Sequence, residues 1–318
     1  MDEQTILVTG GAGFVGQHLL RELRTALPGV RLVVWDKYRG LAPAEYRLAD
    51  IADSASWAGQ LALLKPTWLI HLAAVSHVSA ALHDPSLAYR INVAATERLL
   101  QDAVAESPQT RIVAVSSADI YGRASAAPLP ELPIAAAKPL NPYAASKRDM
   151  EALIAASFAD RTIVVRPFPH IGPGQGRGLV TADFAAQIAA IEAGRQEAVI
   201  KVGNLAARRD FTDVRDVVRA YRLLLTCGQL GETYHVASGR AVAIHDVLRR
   251  LLALSTHSIT IAEDPARLRP ADIPVLVGDA SKLTAATAIS GPGWKPEISL
   301  DQSLRDILQW WREQEGDQ

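Results

Sequence analysis

Tyr143 and Lys147 stand four residues apart, a spacing that places both side chains on one face of a helix. An ammonium beside a phenol favours the phenolate, which lowers the tyrosine pKa and makes the side chain a usable proton donor or acceptor. Ser117 follows an apolar run and can hydrogen-bond to the same substrate oxygen. Together these residues predict proton transfer at an oxygen while a nicotinamide exchanges hydride at the adjacent carbon.

A glycine-rich turn near the start of the chain predicts a dinucleotide site for that chemistry. Residues 9–16 read T-G-G-A-G-F-V-G and lie between the apolar run 6–8 and a segment with leucines at helical spacing. The spacing is G-x-x-G-x-x-G rather than the commoner G-x-G-x-x-G. Such a turn brings a pyrophosphate close to the backbone at a helix N-terminus. A glycine turn in an ordinary strand–helix unit is the alternative.

The residues after the second predicted strand, 30–35, bear on the type of dinucleotide. Asp36 lies about twenty positions past the glycine turn, where a carboxylate can accept hydrogen bonds from the adenosine ribose hydroxyls. Lys37 and Arg39 follow it, and a cation there can hold the 2′-phosphate of NADP instead. They can equally be solvated neighbours of a loop acid. The sequence favours NAD and leaves NADP open.

Strands and helices alternate along the first half of the chain, which predicts a doubly wound parallel sheet of the Rossmann type. Its ligand crevice lies beyond the carboxyl ends of the strands, so the glycine turn, Asp36 and Ser117 are expected at one edge. His77 lies in a loop at that edge with access to a ligand. His71, inside an apolar strand, is expected to be a hydrogen-bonded core histidine. Further predicted elements are strands at 46–51, 68–74 and 111–115, helices at 57–64, 85–105, 245–254 and 300–311, and a helix that begins at Tyr143.

Composition narrows the classes of protein to consider. The 318 residues are 49% hydrophobic and 21% charged, with a net charge of −1, so no electrostatic footprint for nucleic acid or an anionic membrane is present. The single Cys227 excludes an internal disulfide, and no apolar run approaches the roughly 18 residues of a membrane span. We find no signal peptide and no metal-ligand cluster, and we expect a cytoplasmic protein.

These motifs resemble those of the extended short-chain dehydrogenase/reductases that act on nucleotide sugars, within the NAD-dependent epimerase/dehydratase family. The resemblance covers essentially the whole chain. It implies that Tyr143 is the general acid or base, that Lys147 binds the nicotinamide ribose, and that Ser117 supports the substrate oxygen. The motifs that carry it are T-G-G-A-G-F-V-G at 9–16, H-L-A-A at 71–74, S-S before I-Y-G at 116–122, and Y-A-A-S-K at 143–147.

The second half of the chain is similar to the GDP-6-deoxy-4-keto-mannose reductases, which make GDP-rhamnose and are relatives of GDP-mannose 4,6-dehydratase. Arg209 and Arg269 carry guanidinium groups suited to bidentate contact with a diphosphate. Ion pairs with Asp210 and Asp272 are the alternative for these arginines. The similar segments are residues 166–175, 183–188, 202–216 and 264–279.

Two positions depart from the family pattern. Pro169 stands where the family usually has Asn, so a hydrogen bond to the substrate is lost or supplied elsewhere. Asp119 stands where the dehydratases and many of the reductases have Glu. In a dehydratase that acid drives removal of water across C5 and C6, so the shorter side chain favours simple ketone reduction.

The expected architecture is a Rossmann α/β domain followed by a smaller substrate-binding α/β domain. Residues 1–166 form the first, joined by a returning segment near 208–237, and residues 167–207 and 238–318 form the second. The predicted catalytic residues are Ser117, Asp119, Tyr143 and Lys147. The predicted residues for NAD or NADP are Gly10, Gly13, Phe14, Val15, Gly16, Asp36, Asp50, Ile51, Leu72, Ala73, Ala74, Tyr143, Lys147 and Pro167. The predicted substrate-binding residues are His77, Ser117, His170, Asn204, Arg209 and Arg269.

The sequence thus predicts NAD(P)H-dependent reduction of the C4 ketone of a GDP-linked 4-keto-6-deoxy sugar to GDP-rhamnose. The first alternative is a 4,6-dehydratase or epimerase, in which the cofactor is reduced and reoxidised within one turnover. The second is a dinucleotide-sensing binding protein without catalysis, against which the tyrosine–lysine pair argues. The resemblance also implies a homodimer that pairs through two helices of the first domain.

Overall fold

The computed structural model describes residues 4–123, 128–267 and 273–316. Arg269, one of the two arginines expected to bind phosphate, and Asp272 lie outside the described residues. The strands are β1 (Thr5–Thr9), β2 (Arg31–Asp36), β3 (Glu45–Leu48), β4 (Trp68–His71), β5 (Arg111–Val115), β6 (Thr162–Pro167), β7 (His170–Ile171), β8 (Val199–Val202), β9 (Arg208–Asp210), β10 (Thr212–Asp213), β11 (Thr233–Val236), β12 (Ala241–Ala243), β13 (Thr260–Glu263) and β14 (Val275–Leu276).

The α-helices alternate with these strands through most of the chain. They are α1 (Phe14–Ala26), α2 (Gln60–Leu64), α3 (Val78–His83), α4 (Pro85–Tyr89), α5 (Thr96–Glu106), α6 (Pro142–Ser157), α7 (Val180–Glu192), α8 (Val214–Cys227), α9 (Ile244–Leu252), α10 (Ser281–Thr287) and α11 (Leu300–Gly316). A π-helical segment, Arg90–Ala95, joins α4 to α5, and a 3-10 turn, Ala118–Tyr121, follows β5. None of the helices in the described ranges combines the length and the apolar character needed to cross a membrane.

A seven-stranded sheet lies at the centre of the molecule, with every neighbouring pair parallel and the strand order β11-β6-β5-β4-β1-β2-β3. Its first six strands in chain order follow the Rossmann order. The predicted fold class is therefore confirmed.

Helices cover both faces of this sheet, which is why its strands are apolar along their whole length rather than alternating with polar residues. Ile6 and Val8 of β1 pack with α1, α8 and α10 on one face. Leu7, between them, packs with α2, α5 and α6 on the other face. The period of two along the strand thus sends neighbouring side chains into two separate cores.

A second group of elements lies beyond the carboxyl edge of the large sheet. Strand β9 pairs with β12 and β14, β8 pairs with β13, and β7 pairs with β10. Helices α7, α9 and α11 pack together and share a separate apolar core with β8. The chain then returns to the large sheet, because α8 packs against α1 and α10 packs against β11.

The helix expected over 85–105 is interrupted by the π-helical segment, and Asn92 explains the interruption. Asn92 is fully buried, exchanges hydrogen bonds of 2.8 and 3.1 Å with the backbone of Val75, and donates to Ser146 Oγ at 2.9 Å. The amide joins the loop after β4 to α6, and the wider helical turn gives it room to do so.

Asp210 ties the second group of elements together next to Arg209. Its buried carboxylate accepts hydrogen bonds from the backbone N–H groups of Ser238 at 2.7 Å, Gly239 at 2.9 Å and Gly278 at 3.1 Å, and from the Ser238 hydroxyl. Burial raises the pKa of Asp210, and these hydrogen bonds act in the opposite direction. One carboxylate therefore fixes two chain segments, at residues 238–239 and at Gly278, against the end of β9.

Replacing Asp210 with Asn should destabilise the protein by roughly 2–4 kcal/mol, because an amide offers one acceptor oxygen and turns two donors toward buried N–H groups. The free energy of unfolding in urea measures this loss. Asp160→Asn is the matched control, since Asp160 forms an exposed ion pair with Arg161 and should change stability by less than about 1 kcal/mol. Equal stability of the two variants would contradict this account of Asp210.

Candidate active site

A cavity of about 1370 Å³ runs along the carboxyl edge of the large sheet and on toward α7 and β9. It exceeds the roughly 300–1,000 Å³ of sites for one small ligand, and its size suits a dinucleotide and a second ligand together. Every predicted site residue that the structure describes lines it. They are Gly10, Gly13, Phe14, Val15, Gly16, Asp36, Asp50, Ile51, Leu72, Ala73, Ala74, His77, Ser117, Asp119, Tyr143, Lys147, Pro167, His170, Asn204 and Arg209.

The glycine turn leaves no room for side chains at two of its predicted positions. Gly10 has φ of +73°, and a Cβ there would lie 2.7 Å from the backbone nitrogen of Ala73 at the end of β4. A Cβ on Gly16 would lie 2.5 Å from the Cα of Gly11. These contacts pack the start of α1 directly against the strand edge. The exposed N–H groups of that helix end form a cradle suited to a pyrophosphate.

Asp36 lies where the adenosine ribose is expected, and it also forms a hydrogen bond with the glycine turn. Its carboxylate accepts from the backbone N–H of Ala12 at 2.9 Å. Lys37 forms an ion pair with Asp50 at 2.9 Å, whereas Arg39 is exposed at the cavity. Burial raises the pKa of Asp50, but the hydrogen bonds from Lys37 and the Ala52 N–H and the charges of Lys37 and Arg90 together outweigh it and hold that pKa below its usual value. Arg39 is therefore the better placed of the two cations for a 2′-phosphate.

Helix α6 presents Tyr143 and Lys147 to the cavity. Asn141 caps the helix by accepting from the Ala144 N–H at 2.8 Å, and Pro142 occupies its first turn. The Lys147 ammonium is 4% exposed and donates to the carbonyl oxygen of Val115 at 2.7 Å. Burial lowers the pKa of Lys147 to about 8. An ammonium has three donors, so this lysine can also bind a ligand in the cavity that it lines.

The expected lowering of the Tyr143 pKa is wrong for this structure. Burial raises the pKa of Tyr143, the Asp119 carboxylate raises it further, and a hydrogen bond with Ser117 lowers it only in part. The Lys147 ammonium donates to the end of β5 and does not offset the burial. The Tyr143 phenol therefore stays protonated at neutral pH and is ready to donate its proton.

Ser117 caps the 3-10 turn after β5, and its hydroxyl accepts from the backbone N–H of Asp119 at 3.1 Å. The same hydroxyl is close enough to Tyr143 to lower the pKa of the phenol. Parallel strand β5 and helix α6 thus bring two hydroxyl groups from distant parts of the sequence to one point. A substrate oxygen at that point can contact both.

His170 lies where the cofactor cradle meets the second group of elements. Its ring stacks on Phe14 with the planes 5° apart and the centroids 6.2 Å apart. Nδ1 donates to the carbonyl oxygen of Phe168 at 3.1 Å, and burial lowers the pKa of the ring, so Nε2 is an acceptor. His18 also bonds this segment, through the carbonyl oxygen of Pro173 at 2.8 Å.

The two remaining histidine predictions differ in outcome. His71 bonds to Thr9 Oγ1 at 2.7 Å and to Thr96 Oγ1 at 2.9 Å, and burial lowers its pKa to about 3. It is the neutral core histidine that the sequence indicates. His77 lies at the cavity across from Gly178, where a Cβ on the glycine would be 3.7 Å from its ring. Its contact with a substrate stays a prediction.

The far end of the cavity contains polar residues from β8, β9 and the loop after β13. Arg209 donates to the carbonyl oxygen of Ile273 at 2.5 Å, and Asn204 is exposed at the same end. Arg267 lies between Asp183 and Asp264, with nitrogen–oxygen distances of 3.5 Å to each. The sequence did not single out Arg267 or Asp183, because Arg269 carried the motif and Asp183 reads as an ordinary first-turn helix acid.

Tyr221 of α8 is a third residue that sequence reasoning missed. It is fully buried, and its hydroxyl has no hydrogen-bond partner within the part of the chain that the structure describes. Burial raises its pKa, and so does Tyr143, which shows that the two phenols are neighbours. The Ser116 hydroxyl is also buried and has no hydrogen-bond partner among the described residues. Nothing distinguishes Tyr221 in sequence from the apolar residues around it.

With this geometry described, comparison with known proteins identifies the family. The sequence model of GDP-mannose 4,6 dehydratase matches residues 7–307, almost the whole chain. The chain belongs to the GDP-mannose 4,6-dehydratase family. It is thus a member of the extended short-chain dehydrogenase/reductases, as its motifs predicted.

Within this family the chain is similar to both reductases and dehydrogenases of GDP sugars. It is 38% identical over 312 residues to GDP-6-deoxy-D-mannose reductase of Pseudomonas aeruginosa, covering 97% of each chain. It is 29% identical over 280 residues to GDP-6-deoxy-D-talose 4-dehydrogenase of Aggregatibacter actinomycetemcomitans, covering 87% of this chain and 89% of that one. The solved structure of RMD from Pseudomonas aeruginosa complexed with NADPH matches with a TM-score of 0.83 at 34% identity. The match covers 98% of this chain and 99% of that chain.

In this family member, Gly16→Ala should weaken binding of NADH or NADPH by at least about tenfold, because the added methyl group displaces the turn from its position against β4. Fluorescence titration of the reduced nicotinamide measures the dissociation constant. Gly29→Ala is the control, since a Cβ there meets nothing within 4 Å. Equal affinity of the two variants would show that the turn does not cradle the cofactor.

Proposed function

We propose that this protein reduces the C4 ketone of GDP-4-keto-6-deoxy-mannose with NADH or NADPH and forms GDP-rhamnose. The observation that carries the proposal is that the Tyr143 phenol lies beside Ser117 in the cavity that the glycine turn also lines. Reduction of a ketone needs a proton donor at the oxygen, and this site holds one ready at neutral pH. The name of the Pseudomonas relative, a GDP-6-deoxy-D-mannose reductase, supports the same reaction.

The residues of the cavity fit a nicotinamide dinucleotide. The Gly10 and Gly16 contacts leave a backbone cradle without side chains, and Asp36 stands at the carboxyl end of β2. Unpartnered buried hydroxyls on Tyr221 and Ser116 lie farther along the same cavity. When bound, the reduced cofactor supplies the hydride, and Lys147 is the residue proposed to hold its ribose.

The protein's own part in the reaction is to orient the ketone and deliver a proton. Ser117 and Tyr143 both donate hydrogen bonds to the C4 oxygen, which polarises the carbonyl and fixes its position. As negative charge develops on that oxygen, Tyr143 transfers its proton to it. The hydrogen bond with Ser117 then favours the phenolate that remains, because it acts to lower the pKa of Tyr143.

Binding of the nucleotide is assigned to the far end of the cavity. Arg209 is proposed to contact the diphosphate, and the Nε2 acceptor of His170 suits a hydroxyl of the sugar or ribose. His77 and Asn204 complete the proposed substrate contacts. Arg269 keeps its proposed role on sequence grounds. Pro169 gives its carbonyl oxygen to the N–H of Thr212 at 3.1 Å, so it holds backbone where the family has an Asn side chain.

The domain division, assembly and compartment are proposals of the same kind. We divide the chain into a dinucleotide-binding domain, residues 1–166 with a returning segment near 208–237, and a nucleotide-sugar domain, residues 167–207 and 238–318. Helix α8 (Val214–Cys227) and strand β11 (Thr233–Val236) belong to that returning segment. A homodimer rests on the family resemblance. The cytoplasm is proposed because a single cysteine offers no internal disulfide to an oxidising compartment.

Replacing Tyr143 with Phe should lower kcat by roughly 10²–10⁴-fold, because the proton donor is removed while the ring remains. The dissociation constant for the reduced cofactor should change little. Steady-state reduction of GDP-4-keto-6-deoxy-mannose and a fluorescence titration measure the two effects. Tyr89→Phe is the control, since Tyr89 is 54% exposed on α4. An unchanged kcat in Tyr143→Phe would remove the proposed general acid.

The reductase and dehydratase interpretations give opposite results in one assay. A reductase should consume one reduced cofactor for each keto sugar, and the product should carry one hydride from a deuterium-labelled cofactor. A dehydratase or epimerase shows no net loss of reduced cofactor, because its hydride returns within the turnover. Conversion of GDP-mannose by the protein with no added reductant would overturn the proposed function.

A further inference from the structure

A buried ion pair lies beside the proposed catalytic residues, and the mechanism above does not use it. Glu151 and Arg166 are 3% and 2% exposed. The guanidinium donates to both carboxylate oxygens, with Nε 3.0 Å from Oε1 and Nη2 2.6 Å from Oε2. A buried pair of this kind contributes little net stability compared with apolar residues, so its presence calls for another reason.

The Nη1 group of Arg166, which does not contact Glu151, has hydrogen-bond partners of its own. Arg166 Nη1 donates to Tyr121 Oη at 2.5 Å and to the carbonyl oxygen of Leu132 at 2.7 Å. The Tyr121 hydroxyl in turn donates to Nε2 of His235 at 2.6 Å, because Nδ1 of that ring donates to the carbonyl oxygen of Asp279. Burial and then Arg166 lower the pKa of His235 to about 4, so the ring is neutral. These contacts hold the guanidinium toward β11 and the turn after β5.

The carboxylate lies on the other side of the pair, on α6. Glu151 follows Lys147 by four residues, so the two side chains are neighbours on one helix face. Arg166 reaches the carboxylate from β6. The pair therefore presents its negative end to the lysine and its positive end to the tyrosine–histidine chain.

We propose that Glu151 is a positioning residue whose carboxylate, held in place by Arg166, keeps the buried ammonium of Lys147 protonated so that it can bind the cofactor. Burial opposes the charge of Lys147, and the neighbours that the ammonium touches, Val115 O at 2.7 Å and Met150 Sδ at 4.0 Å, carry no charge. Glu151 acts against burial and raises the pKa of Lys147. The lysine and the acid function as one unit on α6.

The other titratable groups around Lys147 do not supply the negative charge that stabilises its ammonium. Tyr143 on α6 and Tyr221 on α8 are neutral, since burial raises the pKa of both phenols. His71 on β4 is neutral as well, with a pKa of about 3. Asp119, on the turn after β5, acts on Tyr143. Helices α3 and α4 and the π-helical segment also pack on α6. Their titratable side chains at this position are exposed; these are His83, Tyr89 and Arg90.

The test measures cofactor affinity as a function of pH. The Lys147 ammonium is present below its pKa of about 8 and is lost as the pH rises through that value. In Glu151→Gln the midpoint pH, at which affinity falls, should be about one unit lower than in the wild type, since the loss of a nearby opposite charge lowers the pKa of a cation by about 1–3 units. Relative to the wild type, the variant should bind about equally near pH 6 and about fivefold more weakly near pH 8.

Fluorescence titration of the reduced cofactor gives these dissociation constants without any sugar turnover. The ratio of variant to wild type at each pH cancels titration of the cofactor itself. Glu151→Gln/Arg166→Gln removes both charges, so it should lower the midpoint in the same direction but by less, and it gives this result even where the single variant does not fold. Arg166→Gln keeps the carboxylate and should not lower the midpoint. Glu313→Gln on α11 is the surface control for the same change of charge.

Two outcomes would overturn the inference. One is an unchanged midpoint in both Glu151→Gln and the double variant. The other is an affinity that falls by the same factor at all pH values, which a merely structural role would produce. The inference rests on Lys147 as the cofactor-binding lysine of the proposed function, not on the sugar. A moved midpoint in a protein that fails to reduce the keto sugar would therefore refute the substrate and leave this inference intact.

Discussion

The carboxyl ends of parallel strands must meet at one edge of a sheet, and every part of this site depends on that constraint. The end of β1 supplies the glycine turn, the end of β2 supplies Asp36, and the end of β5 supplies Ser117. Because β4 lies between β1 and β5, the residues just after it, Leu72 and Ala73, form the surface against which Gly10 packs. Residues more than a hundred positions apart thus share one cavity without any long loop to bring them there.

The sequence was sufficient for the parts of the molecule that follow from local patterns. Glycine spacing, apolar strands and the Y-x-x-x-K pair predicted the sheet and its helices, because each depends on residues near one another in the chain, and the family resemblance added the residues at the substrate end of the cavity. Three features could not be predicted in this way. The π-helical segment depends on where Asn92 finds partners, and the neutral Tyr143 and the Tyr221 hydroxyl depend on burial produced by distant segments.

Burial is also what sets the electrostatics of the site. It favours the neutral form of both Tyr143 and Lys147. The same desolvation therefore raises the pKa of the tyrosine and lowers the pKa of the lysine. The cavity therefore contains a proton donor and a cation whose protonation is controlled by nearby groups rather than by bulk water. A reducing enzyme needs both before its ligands arrive, and preorganisation of this kind lowers the cost of reaching the transition state.

The stacking of Phe14 on His170 and the bond from His18 to Pro173 have a mechanical consequence. They fasten the first helix of the sheet to the segment that leads into the second group of elements, on one side of the cavity. The start of α1 and the segment from His170 to Pro173 are therefore joined by two independent contacts, so neither can shift without displacing the other.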